Sequence, residues 1–259
     1  MKTVEKLRAI PPWGRARGSR LGGVAAMAVM AGLLAACGGG GASGAGTAAT
    51  PKAANPNPKR GTTAVDIHFC TPKPTANAAD PCWKKATTTP LTNVMAGHMP
   101  SGFSATFQAV WDTKNLYVLE QVKNPKGFSA ANANTKTPWT SDAMEVYLSG
   151  NNGGGSTMGS NDTQIDIPLG SPSSVWVTSG KSAGGVAGYV KKVTGGYDAM
   201  MAIPWGDIGA SSGIGQVIGL DPAADTYSNG SSQNQVIAWG TPGSSEQNPS
   251  TWGQAILVQ

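Results

Sequence analysis

The chain has 259 residues, with 19 Lys and Arg against 14 Asp and Glu, a formal charge of +5, 36 glycines and only 13% charged residues. The excess charge is local: Lys2, Lys6, Arg8, Arg15, Arg17 and Arg20 stand beside a single acid, Glu5, and beyond residue 36 thirteen bases meet thirteen acids. A basic balance of that origin gives no reason to expect nucleic acid as a partner, and the two histidines, His68 and His98, lie in neither a zinc-ligand nor a nucleophile-elbow spacing.

Taken in chain order, residues 1–36 read as an export signal, a basic start followed by an apolar run of small residues from position 21. That run is about sixteen residues, short of the roughly 20 that span a bilayer as a helix. It ends in Leu34-Ala35-Ala36-Cys37, which resembles the lipobox of bacterial lipoproteins. The resemblance implies cleavage before Cys37 and acylation of its thiol, with the lipid bilayer as a partner and the cell envelope as the location. Gly38 lacks the Asp that retains many lipoproteins at an inner membrane, so the expected address in a two-membrane cell is the outer membrane. Residues 37–61 hold Gly, Ala, Thr, Pro and Asn without an aromatic or an apolar period, the composition of a flexible tether. Residues 62–259 then form one domain, about 198 residues long, enough for a sizeable core.

Within that domain, short runs rich in β-branched and aromatic residues predict strands near 105–111, 116–123, 143–148, 164–167, 186–193, 197–203, 217–220, 236–239 and 255–258. Asp112-Thr113-Lys114-Asn115 and Thr194-Gly195-Gly196 supply hairpin turns. No segment carries a long helical period. The expected fold is all-β, an antiparallel β-sandwich of jelly-roll or immunoglobulin-like type. Cys70 and Cys82 flank a proline-rich loop, and with Cys37 taken by lipid they are left to form a disulfide in an oxidising compartment. Trp111, Trp205, Trp239 and Trp252 sit in or beside apolar runs and are expected in the core. Trp139 lies among Thr137, Pro138, Thr140 and Ser141, a loop-end setting open to a ligand.

Several of these segments together resemble family 9 carbohydrate-binding modules: Cys82-Trp83-Lys84-Lys85-Ala86; Trp111-Asp112 with Asn115-Leu116-Tyr117-Val118; Pro138-Trp139 with Asp142 and Glu145-Val146-Tyr147-Leu148; Gly195-Gly196-Tyr197 with Ile203-Pro204-Trp205; Gly219-Leu220-Asp221; and Pro249-Ser250 with Trp252-Gly253. The resemblance implies a sandwich that binds a glycan without cleaving it and requires no cofactor. It places Trp139 as one wall of a sugar clamp, because an indole packs on the C–H face of a pyranose. Glu145 and Gln164 fall at polar positions around the sugar, and Asp166 stands where better-known members carry a basic residue. The second clamping Trp falls near Glu246, so either the two-sided clamp is absent or another aromatic, for example Trp176 or Tyr227, supplies the missing wall.

Other chemistries leave weaker traces. Asp142, Glu145, Asp162 and Asp166 are candidate carboxyl groups for glycoside hydrolysis, although any β protein with thirteen acids offers some, and for a structural calcium, although no loop carries a dedicated calcium pattern. Met95, His98, Met99, Met200 and Met201 are candidate axial ligands for a b-type haem in an electron-transfer domain of similar fold, and a protein-binding adhesin is a third reading.

Overall fold

The computed structural model describes residues 63–128, 137–177, 184–227, 235–241 and 246–259. The export signal, Cys37 and the tether lie outside the described residues. Among the described residues thirteen strands follow in chain order: β1 (Ala64–Phe69), β2 (Thr89–Pro90), β3 (Asn93–Ala96), β4 (Ser104–Trp111), β5 (Asn115–Lys123), β6 (Ala143–Ser149), β7 (Asp162–Pro168), β8 (Trp176–Val177), β9 (Ala187–Val193), β10 (Gly196–Pro204), β11 (Val217–Thr226), β12 (Gln235–Ala238) and β13 (Gly253–Val258). Among the described residues the only helices are short 3-10 turns, and none is long and apolar enough to cross a membrane.

The strands hydrogen-bond in the order β8-β7-β6-β11-β13-β1-β4-β5-β10-β9, with β12 and β3 extending from β11 and β2 pairing with β4. The sheet curls so that its two halves face one another. Alternation does the sorting: even-numbered residues of β6 (Met144, Val146, Leu148) and odd-numbered residues of β7 (Ile165, Ile167) meet Phe107, Val118 and Met201 from the other half in one apolar core. Trp111, Trp205 and Trp239 belong to that core as expected. Trp252 is fully buried too, but in a separate cluster with Tyr147, Ala223, Val236 and Ala238 on the outer face of β6 and β11.

The sandwich is antiparallel except at β1, which runs parallel to both β13 and β4. Neighbours joined by hairpins are antiparallel by construction, whereas β1 is inserted between strands distant in sequence and no turn fixes its direction. The sequence reading passed over β1, β2, β3 and β8. Two of these are only two residues long, and β8 owes its existence to pairing with β7.

Residues that carried the family resemblance turn out to build the frame. Asp112 accepts hydrogen bonds from the amides of Lys114 and Asn115, both at 2.7 Å, and from the Tyr117 hydroxyl at 2.8 Å, closing the β4–β5 hairpin. The Trp205 indole donates to the Asp112 carbonyl at 2.9 Å, and the Trp111 indole to the Val258 carbonyl at 2.9 Å. At the β9–β10 turn Gly195 has φ 76°, and a Cβ on Gly196 would lie 1.8 Å from the Val122 carbonyl oxygen, so both positions demand glycine. Cys70 and Cys82 are bonded, with Cα atoms 5.7 Å apart.

Candidate functional site

The register of the outer face sets the site. Asp166 of β7 lies across from Trp176 of β8 on one side and Glu145 of β6 on the other, and Glu145 lies across from Ala223 of β11, which in turn faces Ala238 of β12. Residues directly opposite share a face, so Trp176, Asp166, Glu145, Ala223 and Ala238 form one row, with Gln164 and Tyr147 in the adjacent row. An aromatic edge therefore passes directly into a band of carboxyl groups.

Trp139 stands on the 3-10 turn Pro138–Thr140, held by the Thr140 hydroxyl donating to the Thr137 carbonyl at 2.7 Å and the Ser141 hydroxyl donating to the Pro138 carbonyl at 3.0 Å. Its indole meets that of Trp176 edge to face, with centroids 4.9 Å apart and planes 80° apart. The two half-buried rings thus form a single wall, not two plates with a gap between them. Trp176 is one of the two aromatics considered for a second wall. Tyr227, the other, donates its backbone amide to the buried Asp142 carboxylate.

The carboxyl band is buried: exposure is 2% at Glu145, 0% at Asp166 and Asp225, and 5% at Gln164. The Tyr147 hydroxyl donates to Glu145 Oε2, and Gln164 Nε2 lies 3.1 and 3.2 Å from the two Asp166 oxygens and 3.5 Å from Glu145 Oε1. One amide thus serves two acids. Neither Asp225 oxygen receives a hydrogen bond from a fixed donor among the described residues, and its carboxyl abuts that of Glu145, so the pair is satisfied when one of them carries a proton. Burial pushes Glu145 up to about 7, despite the opposing hydrogen bonds from Tyr147 and Gln164. Burial, reinforced by the charge of Glu145, holds Asp166 and Asp225 well above the ordinary range. Glu246 is exposed, yet its charge adds to the upward shift at both Glu145 and Asp166, which locates it at the rim of the same band.

The structure therefore brings Trp139, Glu145, Gln164, Asp166 and Glu246 to one region and adds Trp176 and Asp225, which motif comparison alone could not select. Asp225 was detectable only through pairing, since β11 extends six residues beyond the run that the sequence marked. The residues weighed as haem ligands are separated: Met201 is in the main core and Met200 in a second cluster beneath the disulfide loop, while His98 is exposed. No group of three or more His, Cys, Asp or Glu side chains is arranged to hold a metal ion among the described residues.

A family described as carbohydrate family 9 binding domain-like matches residues 76–259. The chain belongs to that family. The endo-1,4-beta-xylanase A of Thermotoga neapolitana is 27% identical over 181 residues, covering 70% of this chain but only 16% of the xylanase, so the likeness is to one part of a much longer protein. Two structures of a family 9 carbohydrate-binding module from Caldicellulosiruptor kristjanssonii, in complex with cellotriose and with glucose, each superpose with a TM-score of 0.63 at 19% identity, covering 75% of this chain and 93% and 95% of theirs. Those likenesses establish the sandwich, and family membership makes the domain a carbohydrate-binding one.

Proposed function

We propose that the domain binds a β-linked glucan or xylan fragment without hydrolysing it, at the Trp139–Trp176 wall and the polar band beside it. The observation that carries this reading is the direct passage from an aromatic wall to the row of Asp166 and Glu145, with Gln164 between them. A pyranose offers both surfaces such a site needs, a C–H face for indole and hydroxyls for carboxyl and amide groups. The choice of sugar follows the complexes of the solved relatives and the xylanase relative.

Because the band is buried and the two indoles touch, ligand entry requires the Trp139 turn to separate from Trp176. Calorimetry with glucose, cellotriose and xylotriose tests the assignment. Trp139→Ala and Trp176→Ala are each expected to weaken binding about tenfold or more, a loss of ~1.4 kcal/mol. Binding that survives both substitutions, or no binding by any of the three sugars, removes the site. The proposal further places the domain in the cell envelope, held to the membrane by acylated Cys37. Metabolic labelling with palmitate should then mark the chain but not Cys37→Ser; if the unsubstituted chain takes up no label, that anchor is wrong.

A further inference from the structure

The face of the sandwich opposite the Trp139–Trp176 wall carries a trough of about 420 Å³, lined by the outward residues of β5, β10 and β9 and by the disulfide loop. Its volume falls within the roughly 300–1,000 Å³ range of small-ligand sites. Cross-strand register explains why it is hollow: Ala187 lies across from Ala202, and Ala202 from Tyr117, leaving a low row beside the next row of Tyr189 and Met200. Tyr189 lines the trough from the edge strand and is 43% exposed, while Met200 beneath it is 3% exposed.

The opposite wall is fixed before any ligand arrives. The Cys70–Cys82 disulfide closes the loop, the Thr75 amide and hydroxyl both donate to Asp80 at 3.0 Å, and the Trp83 indole donates to the Thr75 carbonyl at 2.8 Å. Lys191 reaches over from β9 to Asn77 at 3.2 Å and ties loop to strand. A wall held in this way loses little further freedom on binding.

Among the described residues, the polar side chains that line the trough are those of Lys73, Thr75, Asn115, Tyr117 and Tyr189. Burial, with the hydrogen bond to Asp112, pushes the Tyr117 phenol up to about 12, so it remains a donor committed to that carboxylate. Asn115 gives an amide hydrogen to the Tyr117 hydroxyl at 3.0 Å and itself lines the trough. Lys73 supplies an ammonium group on the loop side, and among the described residues no acid lines the space, so a cationic ligand would find no counter-charge there. An exposed phenol ring and a row of alanines beside amide and ammonium groups match one chemical class, a neutral ring with an apolar C–H face and hydroxyls at its edge.

We propose that this trough is a second carbohydrate site, taking one or two pyranose rings against Tyr189, back to back with the first. The inference rests on the reading that the domain binds glycans. Two sites facing away from each other cannot share one short oligosaccharide, but they can engage two neighbouring chains of an insoluble polysaccharide and raise its retention without new contacts at either site.

The test is an amide-resolved NMR titration of the protein, of Trp139→Ala and of Tyr189→Ala with cellotriose and xylotriose to millimolar concentration. The expected result is saturable shifts at the Ala187, Tyr189 and Ala202 amides that persist in Trp139→Ala and weaken at least fivefold in Tyr189→Ala. Tyr189 is exposed, so its removal should leave the fold and the Trp139 face intact. The absence of saturable shifts at these amides with both sugars, or shifts that survive Tyr189→Ala undiminished, overturns the second site. The amides around Trp139 and Glu145 are read in the same spectra, so failure of the first site is scored separately.

Discussion

Strands β6 and β10 are both buried for most of their length, but their outer faces are covered in different ways. Outside β6, polar groups were taken from water and given to one another: Glu145, Gln164 and Tyr147 share hydrogen bonds, and Asp225 depends on a proton held with Glu145. Outside β10, apolar side chains such as Met200 and Leu119 are covered by the loop between Cys70 and Cys82, which a covalent bond pins in place. The first face is therefore ordered by electrostatics and should respond to pH, and the second by a crosslink and should respond to redox state. A single architecture accommodates both because neither face contributes to the main core.

The comparison can be broken most forcefully at Trp252. Its ring lies 5.7 Å from that of Tyr147 and, fully buried, it belongs to the apolar cluster beside the carboxyl band. Trp252→Ala is expected to cost about 3–5 kcal/mol in denaturant unfolding. It should also open the acid face to solvent while leaving any binding at the trough unchanged. Next in size is the crosslink. The double substitution Cys70→Ser, Cys82→Ser should cost about 2–4 kcal/mol and loosen the loop over Met200, with little effect on sugar affinity at Trp139. If affinity at Trp139 falls as well, the two faces are coupled and the contrast between them fails.

The smallest effect is the pH response. Glu120, Glu145, Asp166 and Asp225 have folded pKa values raised above their unfolded ones by burial. Such acids contribute full stability below the unfolded value near 4, and that contribution is lost as pH rises through the folded value, about 7 for Glu145. The melting temperature should thus fall by a few degrees between pH 5 and pH 8. Glu145→Gln should reduce that fall, because an amide at position 145 carries no proton to lose. A melting temperature that rises over the same interval would contradict the buried, protonated band.

Strands of six or more residues, β1 excepted, were largely legible in the sequence because alternation and hairpin turns report locally. Asp112 and Gly195-Gly196 mark their turns through their own backbone chemistry, and the structure shows each performing that task. The position of Trp139 on a turn outside the strands was legible too, since the polar residues around it exclude a core strand. What remained hidden depends on partners distant in the chain. Trp176 belongs to a two-residue strand that is defined by Asp166, and Asp225 reaches Glu145 only through the β6–β11 pairing. Trp252 was rightly placed inside but not assigned to a particular cluster, because burial on the outer face and burial in the central core look alike in sequence. The family motifs were informative about the fold for a related reason: Trp111, Asp112 and Trp205 are tied to one another and to the chain end through backbone carbonyls.

The placement of β1 has a mechanical consequence. This first strand is laced on both sides, paired in parallel with β13 from Ala64 to His68 and with β4 at His68 and Phe69. Under the proposed attachment through Cys37, tension between the membrane and a bound polysaccharide would enter the domain along the axis of β1. The hydrogen bonds to β13 would then be loaded together in shear instead of opening one by one like a zipper. A hold on insoluble polymer should for that reason yield first at the sugar, with the sandwich left folded.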